Sequence, residues 1–237
     1  MVSVPEERGP GAAPAAALDS LQAPLRAGVA ALGLELDEAQ HRQLLDFLAL
    51  LHKWNRVYNL TAVRDPREML THHLLDSLAA VVPLQRHLRA LPPEAGRAPR
   101  LLDVGAGGGL PGVVFAICCP GLQVDCVDTV AKKAAFIQQA AATLRLPRLR
   151  GLHARVESLA DPYHVVSCRA FASLADFTAW SRAALAPQGV WLAMKGRKPE
   201  EEIAALPQDV QVFHVEPLAV PGLQAERCIV WLRPAAG

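Results

Sequence analysis

The sequence lacks three features that would assign it to a simple class: paired cysteines, an excess of one charge and long apolar runs. Its five cysteines are odd in number, form no CxxC pair and include the neighbours Cys118 and Cys119. Neither a disulfide framework nor a zinc site is therefore indicated. Apolar runs end well short of the roughly 18 to 20 residues that a membrane span requires. We expect a soluble protein without a membrane partner, and 237 residues suffice for one α/β domain with a modest extension.

Positive and negative charges nearly cancel, with 24 Lys plus Arg against 23 Asp plus Glu. A protein that holds nucleic acid through phosphates usually shows a basic excess, so any such site must be a local patch. The clearest basic cluster comprises Arg145, Arg148, Arg150 and Arg155, with Lys132 and Lys133 nearby. It fits a solvated helix end and strand edge as well as a surface that contacts phosphates.

The N-terminal region shows no basic segment followed by an apolar stretch and a small-residue cleavage site, so we expect a cytoplasmic protein. Residues 1–17 are rich in proline and alanine and predict a disordered leader. Residues 18–95 form a helical extension, and residues 96–237 form the main domain. The boundary is a proline-rich segment, 91–99.

Helical periodicity dominates the extension. Apolar residues at the three-to-four spacing of an amphipathic helix are Leu44, Leu45, Leu48, Leu51 and Trp54. A second helix is predicted over residues 67–91. The segment between them contains Asn59, and Asp65-Pro66 offers a cap and a first-turn proline for the second helix.

The main domain alternates short apolar strands with helical stretches, which indicates a mainly parallel sheet covered on both faces. The predicted strands are 101–104, 122–127, 149–154, 163–168, 189–194, 210–215 and 228–232. The last two are joined by too few residues for a crossover helix, so we expect them to pair antiparallel. The fold class is α/β, Rossmann-like, with an antiparallel final strand and an N-terminal helical extension.

A glycine-rich turn follows the first strand, in the segment Asp103-Val104-Gly105-Ala106-Gly107. Glycines there let the backbone approach a nucleotide-like cofactor. The later glycines also match GxGxxG, the pattern of nicotinamide enzymes, but they start two residues too late after the strand. Asp128 ends the next strand, where it could accept hydrogen bonds from ribose hydroxyls or merely cap the helix predicted over 131–146.

Taken together, four segments closely resemble the RsmG (GidB) family between about residues 32 and 232: 52–61, 73–77, the glycine loop and 167–174. The resemblance implies a class I methyltransferase that transfers a methyl group from S-adenosylmethionine to N7 of one guanine in the decoding-region loop of 16S rRNA. It further implies 16S rRNA, within the 30S subunit, as the partner.

The resemblance also implies site residues. On the cofactor side, Gly105 and Leu110 contact S-adenosylmethionine at the glycine loop, and Asp128 faces its ribose. Val156 and Glu157 border the adenine, and Arg169 closes the site.

On the substrate side, we expect five residues to surround the guanine and its phosphates: Asn59, His73, Arg155, Arg169 and Arg227. Their residue types alone allow plainer roles, since Asn59 could close its loop and His73 could be a helix histidine satisfied by the backbone. Guanine N7 carries a lone pair and no proton, so no general base is expected.

Other interpretations remain at this stage. His72 and Asp76 lie one helical turn apart, but no further ligand has suitable spacing, so no metal is expected. A nicotinamide-dependent oxidoreductase, a non-catalytic RNA-binding protein and a methyltransferase with another acceptor are the alternatives. We expect a monomer.

Overall fold

The computed structural model describes residues 20–92 and 97–235, and the leader predicted for residues 1–17 lies outside them. The strands of this part are β1 (Arg100–Val104), β2 (Gln123–Asp128), β3 (Leu149–His153), β4 (Tyr163–Arg169), β5 (Leu185–Lys195), β6 (Val210–Pro217) and β7 (Cys228–Pro234). They form one sheet in the order β3-β2-β1-β4-β5-β7-β6.

Six of these strands run in the same direction, and β7 alone is reversed, between β5 and β6. β1 pairs in parallel with β2 and β4, β2 with β3, and β4 with β5. β7 is antiparallel to both β5 and β6, which confirms the predicted topology. β5 begins four residues earlier than predicted, because its first residues are only partly covered and carry no continuous apolar signal.

The helices are α1 (Gln22–Ala31), α2 (Glu38–Tyr58), α3 (Pro66–Met69), α4 (Asp76–Leu78), α5 (Val81–Ala90), α6 (Gly112–Cys118), α7 (Ala131–Thr143), α8 (Leu174–Ser181) and α9 (Glu200–Ala204). A π-helical segment, Leu70–Leu75, joins α3 to α4. No helix in the described ranges is long and apolar enough to cross a membrane.

Capping residues define both ends of the long helix α2. The Asp37 side chain accepts a hydrogen bond from the Gln40 backbone, and the Gln40 side chain accepts one from the Asp37 backbone. This capping box satisfies two backbone donors that a helix N-terminus leaves free. The helix ends at Asn59, whose left-handed backbone (φ 49°) stops the helical repeat.

The single helix predicted over residues 67–91 is wrong, because the structure divides it into α3, the π-helical segment, α4 and α5. Pro83 explains the last break. Proline has no backbone N–H and its ring clashes with the carbonyl four residues earlier, so it is tolerated only in the first turn of a helix. A new helix therefore begins at Val81, which places Pro83 in its first turn.

Successive strand residues enter two separate hydrophobic cores. Leu101 belongs to the core that the sheet shares with α1, α2, α6 and α7, whereas Leu102 belongs to the core on the opposite face. In the first core, Phe47 of α2 meets Phe136 of α7 with ring centroids 6.3 Å apart. The N-terminal helices thus cover one face of the sheet, and residues of the π-helical segment share the same core.

Asp125, to which the sequence assigned no role, is fully buried in β2. It accepts hydrogen bonds from Arg150 at 2.7 Å and from Tyr163 at 2.8 Å, and Arg100 lies 3.3 Å away. These donors hold the pKa of the Asp125 carboxyl below its usual value despite burial. Arg150 of the predicted basic cluster is therefore engaged in an ion pair within the sheet.

Close packing of α7 on β3 predicts that Gly151→Ala destabilises the fold. A Cβ atom at this position would lie 2.4 Å from the backbone oxygen of Ala134, so helix and strand would have to separate. Overpacking of this kind costs about 1–3 kcal/mol, which urea unfolding would measure.

Gly121→Ala is the matched control for this substitution. Gly121 is exposed, and its added Cβ would meet nothing within 4 Å. We expect its free energy of unfolding to stay the same or to rise by about 0.4–1 kcal/mol. Equal losses in the two variants would contradict the packing argument.

Candidate active site

Two adjoining cavities open at the edge of the sheet where β1, β2 and β4 end. The first has a volume of about 490 Å³ and the second about 470 Å³, and both are lined by Gly105 and Ala170. The first also reaches the π-helical segment and Arg227, just before β7. The second extends along β2 towards Val156. Together they form one cleft at the place where open α/β sheets bind ligands.

The glycine loop forms the floor of this cleft. Gly105, Gly107 and Gly109 have φ angles of 65°, 55° and 78°, a region that side-chain-bearing residues adopt only at a cost. Gly105 N–H donates to the Val127 carbonyl at 2.9 Å, which ties the loop to the end of β2. The loop therefore presents bare backbone to the cavities.

Asp128 holds the other side of the loop. Its Oδ2 accepts from the Gly107 N–H at 3.1 Å, and its Oδ1 accepts from the Val130 N–H at 2.9 Å. Lys133 Nζ lies 3.5 Å from the same carboxylate. Asp128 thus orders the backbone just before α7 and also lines the second cavity, so the two roles considered from the sequence are compatible.

Asp103 lies beneath the loop and is completely buried. It accepts hydrogen bonds from the Gly112 N–H and the Ser167 hydroxyl, both at 2.9 Å. Burial raises the pKa of the Asp103 carboxyl to about 7, against the opposing effect of these two donors. This side chain joins the start of α6 to β1 and β4.

Aromatic and aliphatic side chains line the second cavity. Val156 is buried there, beside the ion pair that Arg155 forms with Glu157 at 2.5 Å. Phe171 and Trp180 meet edge to face, with ring centroids 5.9 Å apart. This half of the cleft suits a flat, partly apolar group such as a nucleobase.

A buried carboxylate organises the charged wall of the first cavity. Asp76 accepts a hydrogen bond from Arg169 Nη1 at 2.8 Å through one oxygen and from Arg227 Nε at 2.7 Å through the other. Arg169 ends β4, and Arg227 immediately precedes β7. Three parts of the chain that are distant in sequence therefore meet at one side chain.

His73 lies beside this cluster, in the π-helical segment. Its Nε2 is 2.7 Å from the Thr61 hydroxyl, and Asn55 closes the intervening loop by hydrogen bonds to Thr61 and Val63. Burial, followed by the nearby positive charge of Arg169, lowers the pKa of His73 to about 4. The imidazole is therefore neutral at pH 7.

The residues expected at the site divide between the two cavities. The first is lined by His73, Gly105, Leu110, Arg169 and Arg227. The second is lined by Gly105, Asp128, Arg155, Val156 and Glu157. Arg155 thus lines the second cavity, away from the two other arginines.

Asn59 lines neither cavity. It ends α2, and its side-chain oxygen accepts a hydrogen bond from Arg64 at 2.9 Å. This is the loop-closing role that its residue type alone allowed. Its contact with substrate stays a prediction.

Sequence reasoning missed Asp76, Phe171 and Trp180. Asp76 was considered only as a metal ligand with His72, although a carboxylate within an apolar helical stretch signals a buried partner.

Over the described ranges, no three His, Cys, Asp or Glu side chains are placed to hold a metal ion.

The strand arrangement and the place of the cleft define the fold class. A S-adenosylmethionine-dependent methyltransferase from Aquifex aeolicus shares the fold with a TM-score of 0.50, at 14% identity over 71% of this chain and 93% of that chain. The strand order, the glycine loop and the antiparallel pairing of β7 agree with this Rossmann-like fold.

Sequence comparison identifies the particular family. The GidB family, described as rRNA small subunit methyltransferase G, matches residues 40–230. A curated protein named ribosomal RNA small subunit methyltransferase G from Paracidovorax citrulli is 74% identical, over 93% of each chain. One of the same name from Acidovorax sp. (strain JS42) is also 74% identical, over 92% of this chain and 97% of that protein. The chain therefore belongs to the GidB family, which confirms the resemblance and decides against a nicotinamide enzyme.

Burial of neutral His73 predicts a pH dependence of stability. Its folded pKa of about 4 lies below the ordinary value of 6.5, so the unfolded chain binds a proton in this range that the folded chain does not. The contribution is fully present above about pH 6.5 and is lost as the pH falls towards 4, by at most about 3 kcal/mol.

Urea unfolding of the wild type and His73→Gln between pH 4 and 7 would measure this effect. All other histidines are common to both proteins, so the difference isolates His73. We expect the wild type to lose more stability on acidification than the variant. Parallel pH profiles would show that His73 does not titrate as its burial implies.

Proposed function

We propose that this protein transfers the methyl group of S-adenosylmethionine to N7 of one guanine in the decoding-region loop of 16S rRNA. The observation that carries the proposal is the first cavity, in which the guanidinium groups of Arg169 and Arg227 and neutral His73 share a wall beside the glycine loop. Guanine O6 lies on the same edge as N7, and arginine is its commonest hydrogen-bond donor in proteins.

Membership of the GidB family supports the RNA substrate. The family description and the names of both relatives specify small-subunit ribosomal RNA. The local groups also suit an RNA loop, because positive side chains gather at the cleft of a chain whose net charge is only +1. We place the reaction in the cytoplasm, with a monomer acting on 16S rRNA or the 30S subunit.

The residues of the cleft fit S-adenosylmethionine across both cavities. Each oxygen of Asp128 accepts one backbone hydrogen bond, which leaves lone pairs for the two ribose hydroxyls. Val156 and Glu157 border the space for the adenine. Gly105 and Leu110 line the space that extends into the first cavity. When bound, the cofactor supplies an electrophilic methyl group on a sulfonium.

The chain's task is then to position the base. N7 has no proton to lose, so no side chain has to act as a general base. His73, with a pKa of about 4, is uncharged at neutral pH, so it holds no imidazolium proton that could be transferred to the N7 lone pair. Arg169 and Arg227 hold the base through O6, and orientation of this kind supplies up to roughly 7–11 kcal/mol of barrier reduction.

Two of the predicted substrate residues, Arg155 and Asn59, are not proposed to contact the base. Arg155 has a side chain that is 75% exposed, and Asn59 lies at the exposed end of α2. We assign them to the phosphates that flank the guanine rather than to the base. Such contacts fix the register of an RNA without reading its sequence.

Methyl transfer can be tested with 30S subunits and 16S rRNA from cells that lack N7 methylation in the decoding loop. We expect radiolabelled S-adenosylmethionine to label one guanine there. Borohydride and aniline, which cleave RNA at N7-methylguanosine, should cut the product at that position. Labelling without cleavage would show methylation at another atom, and no labelling of either RNA would contradict the proposed acceptor.

Arg169→Ala should reduce this labelling about 100-fold or more, because the base loses a positioning contact. Arg86→Ala is the control, since Arg86 pairs with Glu216 at the far edge of the sheet and lines neither cavity. Equal activity of the two variants would remove Arg169 from the site.

Asp128→Asn should weaken binding of S-adenosylmethionine about 10- to 100-fold, because an amide accepts fewer hydrogen bonds from ribose than a carboxylate. Isothermal calorimetry would measure the affinity. Asp209→Asn, at an aspartate whose side chain is 67% exposed, serves as the control and should bind like the wild type. An unchanged affinity in Asp128→Asn would place the ribose elsewhere.

A further inference from the structure

We propose that Asp76 is a positioning residue that aims Arg169 and Arg227 at the methyl acceptor. The inference rests on the proposed function and deepens it. Asp76 is 3% exposed, yet it lines the first cavity together with both arginines. Its two carboxylate oxygens are each taken by a different guanidinium group.

Both guanidinium planes are fixed by more than the carboxylate. Arg169 Nη1 also donates to the His72 carbonyl at 3.0 Å, and Arg227 Nη1 donates to the Glu226 carbonyl at 2.8 Å. Each arginine is thus held by a backbone oxygen as well as by Asp76. A planar guanidinium held in this way has little rotational freedom left.

The remaining donors are available to a ligand. Arg169 Nε and Nη2 and Arg227 Nη2 donate no hydrogen bond to any residue that the structure describes. The two side chains are 19% and 24% exposed, so these donors lie at the cavity rather than in the core. Without the carboxylate, two like charges would share this wall, and their repulsion would turn the guanidinium groups apart.

A contribution to the stability of the fold does not by itself explain why Asp76, Arg169 and Arg227 are clustered. Buried ion pairs seldom stabilise a fold more than apolar residues of the same size would. Asp76 also directly follows a π-helical segment, an irregularity that is frequent at functional sites. The arrangement is therefore better explained by the orientation of donors than by the free energy of folding.

The structure offers a matched control for this inference. Asp125 is another buried carboxylate that interacts with two arginines, Arg100 and Arg150, but it lines neither cavity. Asp125→Asn removes the same charge from the same kind of cluster. It reports the structural cost of such a change without disturbing the wall of the cleft.

We expect Asp76→Asn to lower the single-turnover rate of methyl transfer about 100-fold, the effect of misplacing a reacting group by about 1 Å. Its affinity for S-adenosylmethionine should stay within about threefold of the wild type, since binding and orientation are separate steps. Asp125→Asn should lower stability and leave the rate of the folded enzyme unchanged. A wild-type rate in Asp76→Asn, or the same loss in both variants, would overturn the proposal.

A double-mutant cycle with Arg227→Ala tests whether Asp76 acts through its partner. If it does, Asp76→Asn should cost much less in the Arg227→Ala background than in the wild type. Equal costs in the two backgrounds would mean that Asp76 does not act through Arg227, which contradicts the proposed role.

Asp76→Glu covers the case in which the Asn variant does not fold. It keeps the negative charge but displaces both guanidinium groups by one methylene. We expect normal binding of S-adenosylmethionine with a reduced transfer rate, and an unchanged rate would contradict the proposal.

Nitrogen-15 NMR of the arginine side chains separates this inference from the proposed function. The Arg227 Nε–H should exchange slowly in the wild type and rapidly in Asp76→Asn, whatever the substrate is. Slow exchange in both proteins would overturn the role of Asp76. Absence of methyl transfer by a wild-type protein with the expected exchange would instead reject the proposed acceptor.

Discussion

The buried carboxylate of Asp103 is the constraint on which the cofactor edge of this molecule depends. It binds Gly112 at the start of α6 and Ser167 in β4, while its own backbone belongs to β1. The glycine loop is the chain between Asp103 and Gly112, so a single side chain fixes both ends of the loop. A buried carboxylate without hydrogen-bond donors would be strongly disfavoured. Asp103 therefore holds β1, β4 and the start of α6 together.

The same principle, a buried acid satisfied by donors from distant segments, recurs twice. Asp125 joins β2 to arginines on β1 and β3, and Asp76 joins the N-terminal helices to the ends of β4 and β7. Only the Asp76 cluster lines the cleft. There the carboxylate offsets one of two arginine charges, and Nε and Nη2 of Arg169 and Nη2 of Arg227 donate to no residue that the structure describes.

Local patterns allowed much of this structure to be predicted from the sequence. The glycine loop, Asp128 and the parallel strands follow from short-range signals, and the antiparallel end follows from the length of one connection. Asp76 could not be found in this way, because its partners are 93 and 151 residues away. The break at Pro83 was missed because apolar periodicity continues across it, although the backbone cannot.

Phe171 lies against the glycine loop and lines the second cavity. It follows Ala170, whose left-handed backbone (φ 50°) directs the chain over the glycine loop, and its ring lies where a Cβ atom of residue 105 would be, 2.2 Å from Cδ2. A side chain at position 105 is therefore excluded twice, by the positive φ and by the ring of Phe171. In the course of evolution, glycine is accordingly favoured at 105 whatever residue occupies 171. For enzyme engineering, Phe171 rather than Gly105 is accordingly the residue to change if the second cavity is to be enlarged.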